Sequence, residues 1–295
     1  ALKASRPLSA SGGFNKVGIF SGRLWKARMT VADMAAMADE FVAAARTAKE
    51  AGFDAVELHM GHGYLLSQFV TPLYNKRRDG FGGDIERRMN FPVEVLSRVL
   101  DAVGRDMAVL VKYSMTDGPR GNGIDEGVAI ARRLAAAGAH MAVLSNGLNV
   151  ESISAMFGSN LPKSSAKAPN PIIGLGMWVQ SLSEPKNVSF HENYLRDLAL
   201  QVRGATDMPL AYIGGVQSRH GVEQAMRDGF DAVALGRALV YDANFVRDLQ
   251  AGTIEKSLCN ACNRCVTMMY YPQGTSCVLT RNAMDAALNT QRASA

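Results

Sequence analysis

The chain has 295 residues, 47% of them hydrophobic and 20% charged, the composition of an ordinary globular protein with room for one large α/β domain or two small ones. Its net charge of +5 comes from 32 Lys plus Arg against 27 Asp plus Glu, scattered without a basic stripe or a reading motif, which argues against a nucleic-acid surface. No apolar run approaches the ~18 residues of a membrane span, and the first residues lack the pattern of a secretory signal.

All four cysteines fall between positions 259 and 277, so the main body holds no disulfide framework, and a reducing, cytoplasmic compartment is expected. The first residue is Ala, which points to trimming or to a part of the protein lying upstream.

One phrase repeats along the chain: an amphipathic helix, a glycine, then a short apolar strand. The periodicity predicts a helix over 31–51, with Met34, Met37, Phe41, Ala45 and Ala48 on one face, and a strand from Phe53 to His59. A helix over 88–103 then precedes the strand Ala108 to Ser114, and a helix over 125–137 precedes His140 to Ser145. Helices over 191–203 and 219–228 lead into the strands Pro209 to Gly214 and Asp231 to Leu235. The Ser, Pro, Gly and Asn-rich stretch 146–190 reads as a long connection overhanging one end of the sheet.

Helix–strand alternation implies a parallel sheet with right-handed crossovers, either doubly wound or closed into a (β/α)8 barrel. Polar residues gather just after the strand ends, at His59 and His62, Lys112, Asn146, Gly214-Gly215 and Gly236-Arg237. Barrel enzymes build their sites at that rim. No G-x-G-x-x-G follows an early strand, as a dinucleotide-binding sheet would show. A (β/α)8 TIM barrel is therefore expected over residues 1–250, with a Cys-containing extension over 251–295 packed on it. Only five strand–helix units can be assigned, so the barrel reads as short by about three units at its N-terminal side.

The densest chemistry lies in Val56-Glu-Leu-His-Met-Gly-His-Gly-Tyr-Leu-Leu-Ser-Gln-Phe69, continued by Asn75-Lys-Arg-Arg-Asp79, Phe81-Gly-Gly83, Glu86, Arg88 and Phe91. This run resembles the old yellow enzyme family of FMN-dependent ene-reductases, and weaker likeness continues to about residue 280. The resemblance implies FMN as cofactor, NAD(P)H as reductant and an α,β-unsaturated carbonyl compound as substrate. Two imidazoles three residues apart, His59 and His62, can aim N–H donors at one oxygen and stabilise developing enolate charge. Tyr64 is then the implied general acid, because a phenol keeps its proton at neutral pH until carbanion character develops.

Lys112 closes the apolar strand where the family places a basic residue, more often Arg, against the flavin; Lys keeps the charge and loses the planar fork. Gly214, Gly215, Gly236 and Arg237 follow the last two strands, where barrels often bind phosphate, and they imply FMN over FAD.

Cys259, Cys262, Cys265 and Cys277 could hold zinc or an iron–sulfur centre, or stay free thiols. The iron–sulfur dienoyl-CoA reductases of the wider family have a similar run, but with three residues between the second and third Cys instead of two. Two further readings stand beside the ene-reductase: that iron–sulfur type, and a catalytically incompetent fragment. The second rests on the strands not assigned and on sheet edges that invite pairing with another chain, a homo-oligomer included.

Overall fold

Three short strands, β1 (Leu8–Ser9), β2 (Gly13–Phe14) and β3 (Trp25–Arg28), precede the first helix and form a small sheet in the order β1-β3-β2. The computed structural model describes residues 6–16, 18, 23–162, 171, 185–268 and 274–280. The expected overhanging connection therefore lies outside the described residues over 163–170 and 172–184, and the C-terminal extension over 269–273 and 281–295.

Helix α1 (Val31–Glu50) is opened by a reciprocal cap. Asp33 N–H donates to Thr30 Oγ1 at 3.1 Å, and Thr30 N–H donates to Asp33 Oδ2 at 2.8 Å. Strand β4 (Ala55–Met60) and helix α2 (Leu65–Val70) follow, then α3 (Ile85–Arg88), α4 (Asn90–Val103), β5 (Ala108–Ser114), α5 (Ile124–Ala136) and β6 (Met141–Ser145). Beyond them lie α6 (Ile153–Phe157), α7 (Arg196–Arg203), β7 (Leu210–Tyr212), α8 (Arg219–Arg227), β8 (Ala232–Val233), α9 (Arg237–Tyr241), α10 (Phe245–Gln250) and α11 (Arg264–Thr267). Gly52, Gly138 and Gly229, each just past a helix, have φ of 83°, 85° and 88°, the left-handed stop that only glycine adopts without cost.

Strands β4 to β8 form one parallel sheet whose spatial order is the chain order, β4-β5-β6-β7-β8. A doubly wound sheet reverses order at a switch point; this one never does. It is an arc of a (β/α)8 barrel. Side chains alternate across it. One face carries Leu58, Met60, Val109, Val111, Tyr113, Ala142, Leu144, Leu210 and Tyr212, all buried with Phe91, Val95, Leu96, Val99, Ile130 and Leu134 of the helices in the main core. The other, inner face aligns His59, Lys112, Val143, Ala211 and Ala232 in one row of paired residues.

The front of the chain holds strands that the helix–strand pattern does not announce. They are two to four residues long, too short for any alternation to register. Arg77 fastens this small sheet. Its side chain is 2% exposed; Nη1 donates to the carbonyls of Ala10 (3.0 Å) and Met29 (2.8 Å), while Nε and Nη2 grip Asp79 at 3.0 and 2.7 Å. Asp79 also meets Arg28 at 2.6 Å.

The hydrogen bonds from Arg77, above all, hold the Asp79 carboxyl down at about 2. A folded-state value below the ordinary one adds stability that is present above the unfolded value and is lost as pH falls through about 2. Because Asp79 is 35% exposed, solvent screening limits this to ~1 kcal/mol. Urea titrations should show Asp79→Asn less stable than the parent by that amount near neutrality, with the gap closing below pH ~3.

Candidate active site

The stretch from His59 to Tyr64 sits at the carboxyl end of β4 and turns sharply into α2. His62 and Gly63 are both left-handed, with φ of 62° and 84°. For histidine that conformation costs ~1–3 kcal/mol unless its surroundings fix it. Here His62 N–H donates to Ser114 Oγ at 3.1 Å, and the His62 carbonyl accepts from Asn149 N–H at 3.2 Å. Ser114 Oγ in turn donates to the Gly147 carbonyl at 2.8 Å. The ends of β5 and β6 thus hold the turn in place.

The two imidazoles touch edge to face, with ring centroids 4.8 Å apart, and the Tyr64 ring lies 5.0 Å from that of His59. Their hydrogen bonds assign the tautomers. Gly61 N–H donates to His59 Nδ1 at 3.3 Å, which puts the His59 proton on Nε2. Nε2–H then donates to His62 Nδ1 at 3.2 Å, and His62 Nε2–H donates to Ser145 Oγ at 2.7 Å. The two N–H donors therefore run in series, whereas the sequence reading pictured them converging on one point. Burial first, then the neighbouring His59 and Lys112, push the His62 value down to about 3; burial and Lys112 lower His59 too. Both rings are neutral donors at physiological pH.

Beside them lies a cavity of about 200 Å³ lined by His62, Lys112, Ser145, Gly215, Gly236 and Arg237 together with Met156, Phe157, Tyr194 and Gln217. Lys112 Nζ is ion-paired to Glu57 at 2.8 Å, a partner that the strand's C-terminal position does not announce. Arg237 stacks between the rings of Phe157 (5.9 Å) and Phe190 (5.0 Å). At Gly236 nothing stands within 4 Å of where a Cβ would be, so the backbone opens directly onto space. Gly215 has a φ of 72° and packs under Phe190 and Tyr194. Gly214 does not line the cavity; a Cβ there would come within 2.0 Å of the Tyr212 hydroxyl, which explains glycine by packing.

A guanidinium, an open glycine backbone and a small volume suit the phosphate end of a flavin mononucleotide, while a cavity enclosing a whole cofactor usually exceeds ~300 Å³. The fold thus brings His62, Lys112, Gly215, Gly236 and Arg237 to one cavity, with His59 against His62 and Tyr64 beside His59. Ser114, Ser145 and Tyr194 also belong to this constellation, and sequence reasoning passed over them. Hydroxyls at the last position of two apolar strands, Ser114 and Ser145, were the available signal.

Cys259, Cys262, Cys265 and Cys277 are free thiols, half-buried, with burial raising Cys259 and Cys265 above the usual thiol range. Among the described residues no three His, Cys, Asp or Glu side chains are arranged to hold a metal ion.

The barrel arc, the paired imidazoles and the cavity lined by Lys112 and Arg237 can now be set beside known proteins. The pattern of the NADH:flavin oxidoreductase / NADH oxidase family matches residues 8–168. The 4,4'-dithiodibutanoate disulfide reductase of Rhodococcus erythropolis is 36% identical over 253 residues, 85% of this chain and 62% of that protein. The NADH oxidase of Thermoanaerobacter brockii is 31% identical over 238 residues, 80% of this chain and 32% of that one. Among solved structures, the old yellow enzyme homologue from Zymomonas mobilis superposes with a TM-score of 0.60 at 18% identity, over 86% of this chain and 63% of that one. This chain belongs to the NADH:flavin oxidoreductase / NADH oxidase family. Membership implies FMN as the flavin and NAD(P)H as the reductant. The chain spans 62% and 32% of the two curated relatives.

Proposed function

We propose that the chain forms the substrate-polarising and phosphate-binding side of an FMN-dependent ene-reductase site. The observation that carries this reading is the His59–His62–Ser145 chain opening beside the cavity of Lys112 and Arg237. FMN, held by Lys112, Gly215, Gly236 and Arg237, would supply the hydride chemistry between NAD(P)H and the β-carbon of an α,β-unsaturated carbonyl compound.

The chain's own residues do the rest. A substrate carbonyl oxygen takes the place of His62 as acceptor of the His59 Nε2–H, a bond whose 3.2 Å length leaves little to lose. Lys112 supplies positive charge to the same inner face, and Arg237 with Gly215 and Gly236 holds the phosphate. Tyr64, half exposed beside His59, gives its proton to the α-carbon, so that hydride and proton together saturate the double bond. A second reading keeps the reductive half and makes a disulfide the acceptor; the activity in the name of the Rhodococcus relative favours it.

The test is Tyr64→Phe in FMN-loaded protein. Reoxidation of the reduced flavin by cyclohexenone should slow ~100-fold while reduction by NAD(P)H keeps its rate. Equal slowing of both halves, or of neither, removes Tyr64 as the acid. Reoxidation by 4,4'-dithiodibutanoate but not by cyclohexenone replaces the first reading with the second.

A further inference from the structure

Arg237 holds its guanidinium at the cavity through two bonds: Nη2 donates to the Phe157 carbonyl at 2.9 Å, and Nη1 donates to Asn263 Oδ1 at 2.7 Å. The second partner comes from the cysteine-bearing C-terminal segment, 26 residues further along the chain. Asn263 is 1% exposed and sits between Cys262 and Cys265 in the left-handed region, at φ 57°, where Asn is tolerated better than most residues.

Its amide can point only one way. Nδ2 donates to three acceptors on the loop after α6: the Ser159 carbonyl at 3.2 Å, Ser159 Oγ at 2.9 Å and the Asn160 carbonyl at 3.2 Å. With the NH2 group committed there, Oδ1 is left facing Arg237. A buried amide with every group paired is a rigid fixture, and this one sets a cation that lines the cavity. Among the described residues these bonds engage two of the five guanidinium N–H groups, and the others are available to an anion.

We propose that Asn263 is a positioning residue for phosphate recognition: it locks the Arg237 fork at the angle that meets the phosphate of FMN. The inference rests on the reading of Arg237 as the phosphate ligand. It gives the C-terminal segment a role in the site that needs no chemistry from its cysteines. Removal of Asn263 frees one end of the guanidinium, which then samples orientations that miss the anion.

The experiment compares two flavins that differ in the phosphate alone. FMN and riboflavin are titrated into the full chain, and the quenching of flavin fluorescence gives each Kd, with circular dichroism confirming the fold of every variant. Asn263→Ala should weaken FMN ~10-fold and leave riboflavin within ~2-fold. Parallel weakening of both flavins, or no change in either, overturns the proposal. Where Asn263→Ala fails to fold, Asn263→Ser supplies the same comparison. Arg237→Ala is the control for the underlying reading: unchanged preference for FMN over riboflavin there refutes the phosphate site itself, whatever Asn263 does. In the Arg237→Ala background, Asn263→Ala should have no further effect on the FMN-to-riboflavin ratio, and an additional loss would show that Asn263 does not act through Arg237.

Discussion

His59→Ala lowers kcat/KM for an enone by ~10²–10³, the usual cost of deleting one donor to a developing oxyanion. His59 is the cleaner of the two histidines to remove. His62 also anchors the turn, through Ser114 and Asn149 at its backbone and Ser145 at its ring, so its loss mixes catalysis with folding. The His59 ring is held by contacts at 3.2 and 3.3 Å, and its removal leaves those anchors intact. The double replacement should cost little more than the larger single one, because the imidazoles act as a unit.

The parent's pH profile distinguishes this role from that of an imidazolium acid. With His62 pushed down to about 3 and His59 lowered by burial, kcat/KM should show no acid limb at the ordinary histidine value of about 6.5. A limb there that disappears in His59→Ala would mean that the charged ring is the working form.

Arg77→Ala destabilises the fold by roughly 3 kcal/mol, a fall in Tm of ~6–12 °C. The physical reason is the cost of orphaning partners. The carbonyls of Ala10 and Met29 and the carboxylate of Asp79 all lose donors, and the first two sit in a buried part of the structure. Phe69 and Phe81, whose rings lie 5.8 and 5.7 Å from the guanidinium, lose their cation. Arg77→Lys keeps the charge without the planar fork and should recover only part of the loss. A thermal melt checks both. A change under ~2 °C in Arg77→Ala would show that the small front sheet is not tied to the barrel through this residue.

The parallel units were legible because each rests on a local rule. The left-handed glycines at 52, 138 and 229 punctuate the chain, and the run Ala108–Ser114 is found as a strand with those bounds. Phe53, which its apolarity assigns to the first strand, is 64% exposed and lies two residues before β4 starts, because apolarity alone does not mark where pairing begins. The helix expected over 191–203 starts at Arg196, after a turn in which Asn193 is left-handed. The short strands β1–β3 were illegible for a different reason: their stability comes from Arg77, which lies about 50 residues away from the last of them.

At the site, the family motif announced His59, His62 and Tyr64, since they are neighbours in the chain. The partners that hold the site's side chains were hidden. Ser114 and Ser145 hold His62, Glu57 pairs with Lys112 and Asn263 with Arg237, through contacts that only folding creates, between positions from 26 to 83 residues apart.

The most direct measurement is one anaerobic cycle on the purified chain. FMN is added, excess is removed, NAD(P)H is supplied, and the visible spectrum is followed before and after cyclohexenone. A chain that forms this site retains the yellow flavin band, loses it on reduction, regains it with the enone and releases cyclohexanone in equal amount. A protein that stays colourless after FMN is added, or whose reduced flavin stays bleached when the enone is added, contradicts the proposed ene-reductase site.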